Sequence, residues 1–105
     1  MVDIFIKKKY LDELVSIIKK MYPNSIVWAY GSRVGYDIKN VYESSDLDLT
    51  IKEFGQKEHN VEQFKEALRN SNIPFMIDVS VFDNLPISFQ KEIRKQYIVI
   101  YNGNQ

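Results

Sequence analysis

Cysteine is absent from the chain, and histidine occurs once. Without thiols there is no disulfide framework and no thiolate metal site. That absence fits a reducing cytoplasm, the expected location. An excess of charge of one sign is also missing: 14 basic residues balance 14 acidic ones. No global field therefore draws the molecule onto nucleic acid or a membrane surface. No apolar run approaches a membrane span, and the opening MVDIFIKKKY lacks the apolar core of a signal peptide. Proline, glycine and serine nowhere gather into a linker, and there is no internal repeat or low-complexity tract. The 105 residues are read as a single domain, residues 1–105. That length buries a core without staples.

What is present is periodicity. Leu11, Leu14, Val15, Ile18 and Met21 recur at helical spacing and predict a helix over residues 8–22, ended by Pro23-Asn24-Ser25. IVWAY, Ile26 to Tyr30, is a short apolar run bounded by turn residues, a buried strand. Gly31-Ser32 breaks it, and a short helix or irregular segment is expected through Val41. Asp46 to Lys52 alternates as a second strand, with Leu47, Leu49 and Ile51 on one face and Asp46 and Asp48 on the other. After a polar loop over Glu53–Asn60, Val61, Phe64, Ala67 and Leu68 predict another helix. FMIDVSVF, Phe75 to Phe82, alternates again and puts Asp78 among the residues opposite Ile77, Val79 and Val81. DNLP then turns into a last helix near residues 87–96, with Phe89, Ile93 and Tyr97 inward, and YIVIYN adds a short edge strand. Helices alternating with strands define an α/β fold.

Three carboxylates carry the chemistry. Residues two apart on a strand lie roughly 6.5–7 Å apart, so Asp46 and Asp48 reach one small ion. Asp78 joins them if its strand is a neighbour. Two carboxylates about 5 Å apart repel by roughly 3 kcal/mol at an effective dielectric near 20. A converged cluster therefore protonates, splays into water or binds a cation. Oxygen ligands without histidine or cysteine favour Mg²⁺ or Mn²⁺, and Mg²⁺ leaves positions for water and substrate phosphates. Phosphate recognition is the second half of the pattern. Gly31 lets the backbone approach a ligand, Ser32 offers a hydroxyl and an amide, and Arg33 adds a guanidinium nearby.

GSRVG, then SDLDL, then IDVSVF resembles the minimal nucleotidyltransferases of the DNA polymerase β superfamily. These carry a G-S signature, a D-x-D at the next strand and a third acid on a later one. The resemblance spans nearly the whole chain, including PISFQKEIRKQYIVIY as closing helix and strand. It implies a polymerase-beta-like nucleotidyltransferase fold, a mixed β-sheet flanked by helices. It implies two Mg²⁺ ions held by Asp46, Asp48 and Asp78, and a nucleotide triphosphate held by Gly31 and Ser32, with Arg33 beside them. The implied reaction moves NMP, AMP from ATP, to a hydroxyl of a macromolecule. Larger relatives carry a further helical domain for the acceptor. The resemblance therefore implies a separate helical partner of the HEPN kind, with this chain as antitoxin modifying a tyrosine of that toxin.

Two rivals accompany this reading. One is an antitoxin that neutralises its partner by binding alone. The other is a phosphoacceptor signalling domain of flavodoxin-like fold, which needs an acidic pair where this chain has Gly31-Ser32. Other residues read as structural. His59 is a loop residue, Lys7-Lys8-Lys9 a wet helix entry, Trp28 core, and Asp83 turn chemistry. Tyr36 and Tyr42 flank the glycine-serine loop. The remaining apolar surface suits a partner or a second copy of the chain.

Overall fold

A computed structural model describes residues 2–36 and 45–104. The elements run β1 (Asp3–Ile4), α1 (Lys8–Met21), β2 (Ile26–Tyr30), a 3-10 turn (Gly31–Arg33), β3 (Val34–Gly35), β4 (Leu47–Glu53) and α2 (Val61–Arg69). They continue with β5 (Ile77–Val81), a second 3-10 turn (Phe82–Asn84), α3 (Ile87–Lys95) and β6 (Ile98–Asn102). The expected helix through Val41 falls partly outside the described residues, as does Tyr42. What directly follows Tyr30 is a single 3-10 turn and then the two-residue strand β3.

The main sheet has the order β5-β4-β2-β6. β2 is antiparallel to both β4 and β6, and β4 is parallel to β5, so the sheet is mixed. The flavodoxin-like alternative, which needs a parallel sheet, falls here. β1 pairs with β3 in a separate two-stranded ribbon.

The alternation over Asp46 to Lys52 has the physical origin its pattern indicated. Leu47, Leu49 and Ile51 are buried on the face that packs against Leu14 and Ile18 of α1 and Phe64 and Leu68 of α2. Each such side chain contributes about 1.5–3 kcal/mol on leaving water. The α1 stripe is anchored by Leu14 and Ile18, with Leu11 and Val15 half-buried at its margins. α2 starts at Asn60, whose side chain accepts from the Glu62 amide at 2.9 Å and caps the helix.

The opposite face carries a smaller cluster of Trp28, Phe82 and Ile93 beneath α3. Trp28 stacks on Tyr97 at 4.1 Å and meets Phe82 edge-on at 5.2 Å, so its role is packing, as its strand position implied. Phe89, expected inward, is instead 43% exposed, and its ring meets the half-buried Tyr30 edge-on at 5.9 Å. α3 presents one fully buried side chain, Ile93, to the sheet, so four positions earlier the helix already clears the core. His59 lies flat on Phe54 at 3.6 Å in the exposed loop before α2. No helix among the described residues is long and apolar enough to cross a membrane.

Candidate active site

Register decides which acids meet. Asp48 of β4 faces Asp78 of β5 as a direct Cα partner, and on its other side faces Tyr30 of β2. Tyr30, Asp48 and Asp78 therefore form one row across three strands, on the face away from α1 and α2. Asp46 precedes β4 by one residue rather than lying within it, and it is exposed. Its charge still reaches the row. Burial pushes the Asp48 carboxyl above the ordinary aspartate range, and the charges of Asp78 and then Asp46 push it further. Tyr30 responds in the same direction: burial raises its phenol, a hydrogen bond with Ser80 offsets part of this, and Asp48 and Asp78 raise it again.

The G-S turn closes against this row. Gly31 has φ +85°, the left-handed region that glycine enters at no steric cost. A Cβ placed there would collide with Asp48 Oδ2, so only glycine lets the turn approach the acids this closely. The Ser32 hydroxyl, exposed, donates to the Asp46 carbonyl at 3.5 Å and ties the turn to the start of β4. Behind the acid row, one register step down, stand Trp28, Thr50 and Ser80. Ser80 Oγ donates to the Leu49 carbonyl at 3.3 Å, and Thr50 Oγ1 is buried without a partner.

Arg33, expected beside the nucleotide, turns inward. It is 5% exposed. Its Nε donates to the Ser45 carbonyl at 2.8 Å and its NH1 to the Phe5 carbonyl at 3.0 Å, while the guanidinium lies 4.0 Å from the Phe75 ring centre. The Phe5 amide in turn donates to the Arg33 carbonyl at 2.7 Å. A guanidinium engaged in this way clasps the N-terminal ribbon to the segment leading into β4. Its sequence position beside Gly31-Ser32 gave no sign of that inward direction.

The cluster fits divalent cations. Asp48 is a partly buried carboxylate raised by burial and by two like charges, and a cation relieves all three effects. Among the described residues, no three His, Cys, Asp or Glu side chains gather closely enough to hold an ion unaided. The expected three-carboxylate cage is therefore not formed by protein atoms alone. Mg²⁺ takes one or two carboxylates and completes its shell with water and phosphate oxygens. Asp46 and Asp48, with Asp78 alongside, are the residues that would hold it.

Two neighbours were not legible as site residues in the sequence. Tyr30 looked like the last residue of a buried strand, yet it ends β2 directly before Gly31 and opposite Asp48. The signal was its place, one residue before the G-S turn. The second is a cleft of about 240 Å³ beside the turn, where Tyr30 and Gly31 face Phe89, Glu92, Ile93 and Gln96 of the α3 region. Only long-range packing creates it.

A mixed sheet carries a G-S turn against a D-x-D, with a third acid in register, and comparison with known proteins gives the class of the molecule. The polymerase beta nucleotidyltransferase family model matches residues 12–105, and the chain belongs to that family. Over 96 residues it is 33% identical to a protein of Haemophilus influenzae named probable protein adenylyltransferase MntA; the match covers 90% of this chain and 82% of that protein. The chain is thus an enzyme of the nucleotidyltransferase class, and its donor substrate is a nucleotide.

Proposed function

We propose that the chain transfers AMP from ATP to a hydroxyl of a protein, a tyrosine of a helical HEPN-type partner, and so acts as the antitoxin of that pair. One observation carries the reading. Asp48 and Asp78 are register partners, and the turn residue that closes on Asp48 is a left-handed glycine. The similarity to a protein named as an adenylyltransferase supports the choice of AMP and of a protein acceptor.

In this reading Gly31 and Ser32 receive the triphosphate through backbone N–H groups and the Ser32 hydroxyl. Asp46 and Asp48 would hold Mg²⁺, two ions with Asp78 completing the second, and Mn²⁺ would substitute. When bound, the ions supply charge stabilisation for the entering and leaving oxygens. Asp78 takes the proton of the acceptor hydroxyl. The acceptor oxygen bonds to the α-phosphorus while the bond from that phosphorus to the pyrophosphate oxygen breaks, and pyrophosphate leaves.

The test is to incubate the chain with each NTP, Mg²⁺ and the product of the adjacent gene as the proposed acceptor, then weigh both proteins intact. The expected result is a gain of one or more adenylyl units on the partner with ATP alone. Asp46→Asn combined with Asp48→Asn removes the gain and leaves the fold intact. Transfer that survives in the double variant overturns the assignment of the acids, and no gain with any NTP overturns the proposed acceptor.

A further inference from the structure

The side from which a protein acceptor reaches the acids follows from the strand order. Among the described residues β5 is an edge of the sheet, paired with β4 alone. Asp78 sits on that edge strand and is exposed, Asp48 lies one strand inward, and Gly31 follows the next strand inward again. Resting on the proposed reading, with the leaving pyrophosphate over Gly31 and Ser32, in-line displacement puts the entering oxygen on the opposite side of the phosphorus. That side is the β5 edge.

Proteins commonly protect free edges with charge, proline or a covering element. Here a groove of about 400 Å³ runs along β5, between the strand and α2, and Asp78 is among its lining residues. Ile77 and the buried Val79 of β5 and Leu68 of α2 give it an apolar floor, Lys65 and Arg69 of α2 also line it, and so does Met76, which is 69% exposed. A groove with an apolar floor beside a strand that is free on one side among the described residues is the form that receives an extended peptide as an added strand.

We propose that the acceptor protein docks here, laying an extended segment along the outer edge of β5. Alternation then fixes its pattern. The hydroxyl-bearing residue points to the face of Asp78 and Asp48, and its two neighbours point to the other face, into the groove against Ile77, Val79 and Leu68. The segment recognised is therefore apolar–hydroxyl–apolar. The groove supplies position, and the acids supply chemistry.

The probe is the acceptor protein of the transfer assay above, used with Met76→Glu and, as control at the far edge of the sheet, Val99→Glu. Both side chains are exposed, at 69% and 45%, so both variants keep the fold. Met76→Glu is expected to raise KM for the protein acceptor by about tenfold or more, with kcat at saturating acceptor and affinity for a fluorescent ATP analogue unchanged. Val99→Glu is expected to match the wild type. Wild-type transfer with an unchanged KM in Met76→Glu overturns the docking edge and leaves the transferase reading standing. No transfer by the wild type overturns that reading instead. Titration of the same protein without ATP then decides the groove: weaker binding by Met76→Glu supports it, and equal binding overturns it.

Discussion

A methyl group at position 31 enters space that Asp48 Oδ2 occupies, on a backbone already in the left-handed region. Gly31→Ala therefore pushes the turn away from the acids, and the left-handed backbone costs a further 1–2 kcal/mol or so. A displacement near 1 Å at a reacting centre costs about 10²-fold in rate. The variant is expected to fold, to melt slightly lower and to lose about that factor in transfer, read by the rate of adenylyl incorporation. Two residues on, Arg33→Ala should do the reverse. It removes the donors to the Ser45 and Phe5 carbonyls and the contact with Phe75. Losing such buried, charge-assisted bonds costs roughly 2–4 kcal/mol, visible as a lower denaturant midpoint. Nucleotide affinity of the fraction that remains folded should be unchanged; were Arg33 a phosphate ligand, affinity would fall at unaltered stability. Asp48 gives a pH signature. Its carboxyl is raised in the folded chain, so the folded state holds the proton to higher pH than the unfolded one. The charged form thus destabilises the fold: the cost is absent below about pH 4, the ordinary aspartate value, grows as pH rises through the raised value, and is complete above it. Asp48→Asn should raise Tm at neutral pH, by a small amount because the site is half open to water, and should match the wild type near pH 3.

Strands of five to seven residues declared themselves in the sequence, by alternation where one face is buried and by a bounded apolar run where both faces are covered. IVWAY became Ile26–Tyr30, and the D-x-D strand differs only by one residue at each end, Leu47–Glu53 against Asp46–Lys52. The two-residue strands β1 and β3 were not legible. They pair through one short ribbon held by the Arg33 clasp, and two residues carry no period. α3 was located but its face was misread at Phe89, since its inward side rests on one side chain rather than a stripe. That makes a prediction about the element. Ile93→Ala removes the fully buried anchor shared with Trp28 and Phe82 and should cost about 2–4 kcal/mol by urea titration. It should also loosen the cleft at Tyr30 and Gly31. The register of Asp48 with Asp78, on which the site rests, lay beyond the sequence altogether. Periodicity says which face a residue takes, whereas only the turns and helices between β4 and β5 say which residue stands beside it.

For the molecule as a whole, the site and the fold draw on the same carboxylates with opposite sign. The main core lies on one face of the sheet under α1 and α2, and the acid row lies on the other, so charge in the row can change without disturbing the packing. A ligand that binds only the folded chain stabilises it by about 2.7 kcal/mol at one hundred times its dissociation constant. For a chain of this length that is a rise of roughly 10 °C or more in Tm. Mg²⁺ with a non-hydrolysable ATP analogue should give such a rise in the wild type. In Asp48→Asn two changes should oppose each other. The unliganded variant starts higher, because one repelling charge is gone, and its rise with Mg²⁺ and nucleotide is largely lost, because a carboxylate that would hold the ion is gone too. A plot of Tm against Mg²⁺ at fixed nucleotide, at pH 7, should therefore show the two proteins crossing. If Asp48 were a structural residue, its variant would melt lower at every Mg²⁺ concentration and the curves would not meet. If the row bound no cation, both curves would run level with the variant above throughout. Crossing distinguishes a charge kept for a ligand from a charge kept for the fold, and scanning calorimetry over a Mg²⁺ series reads it directly.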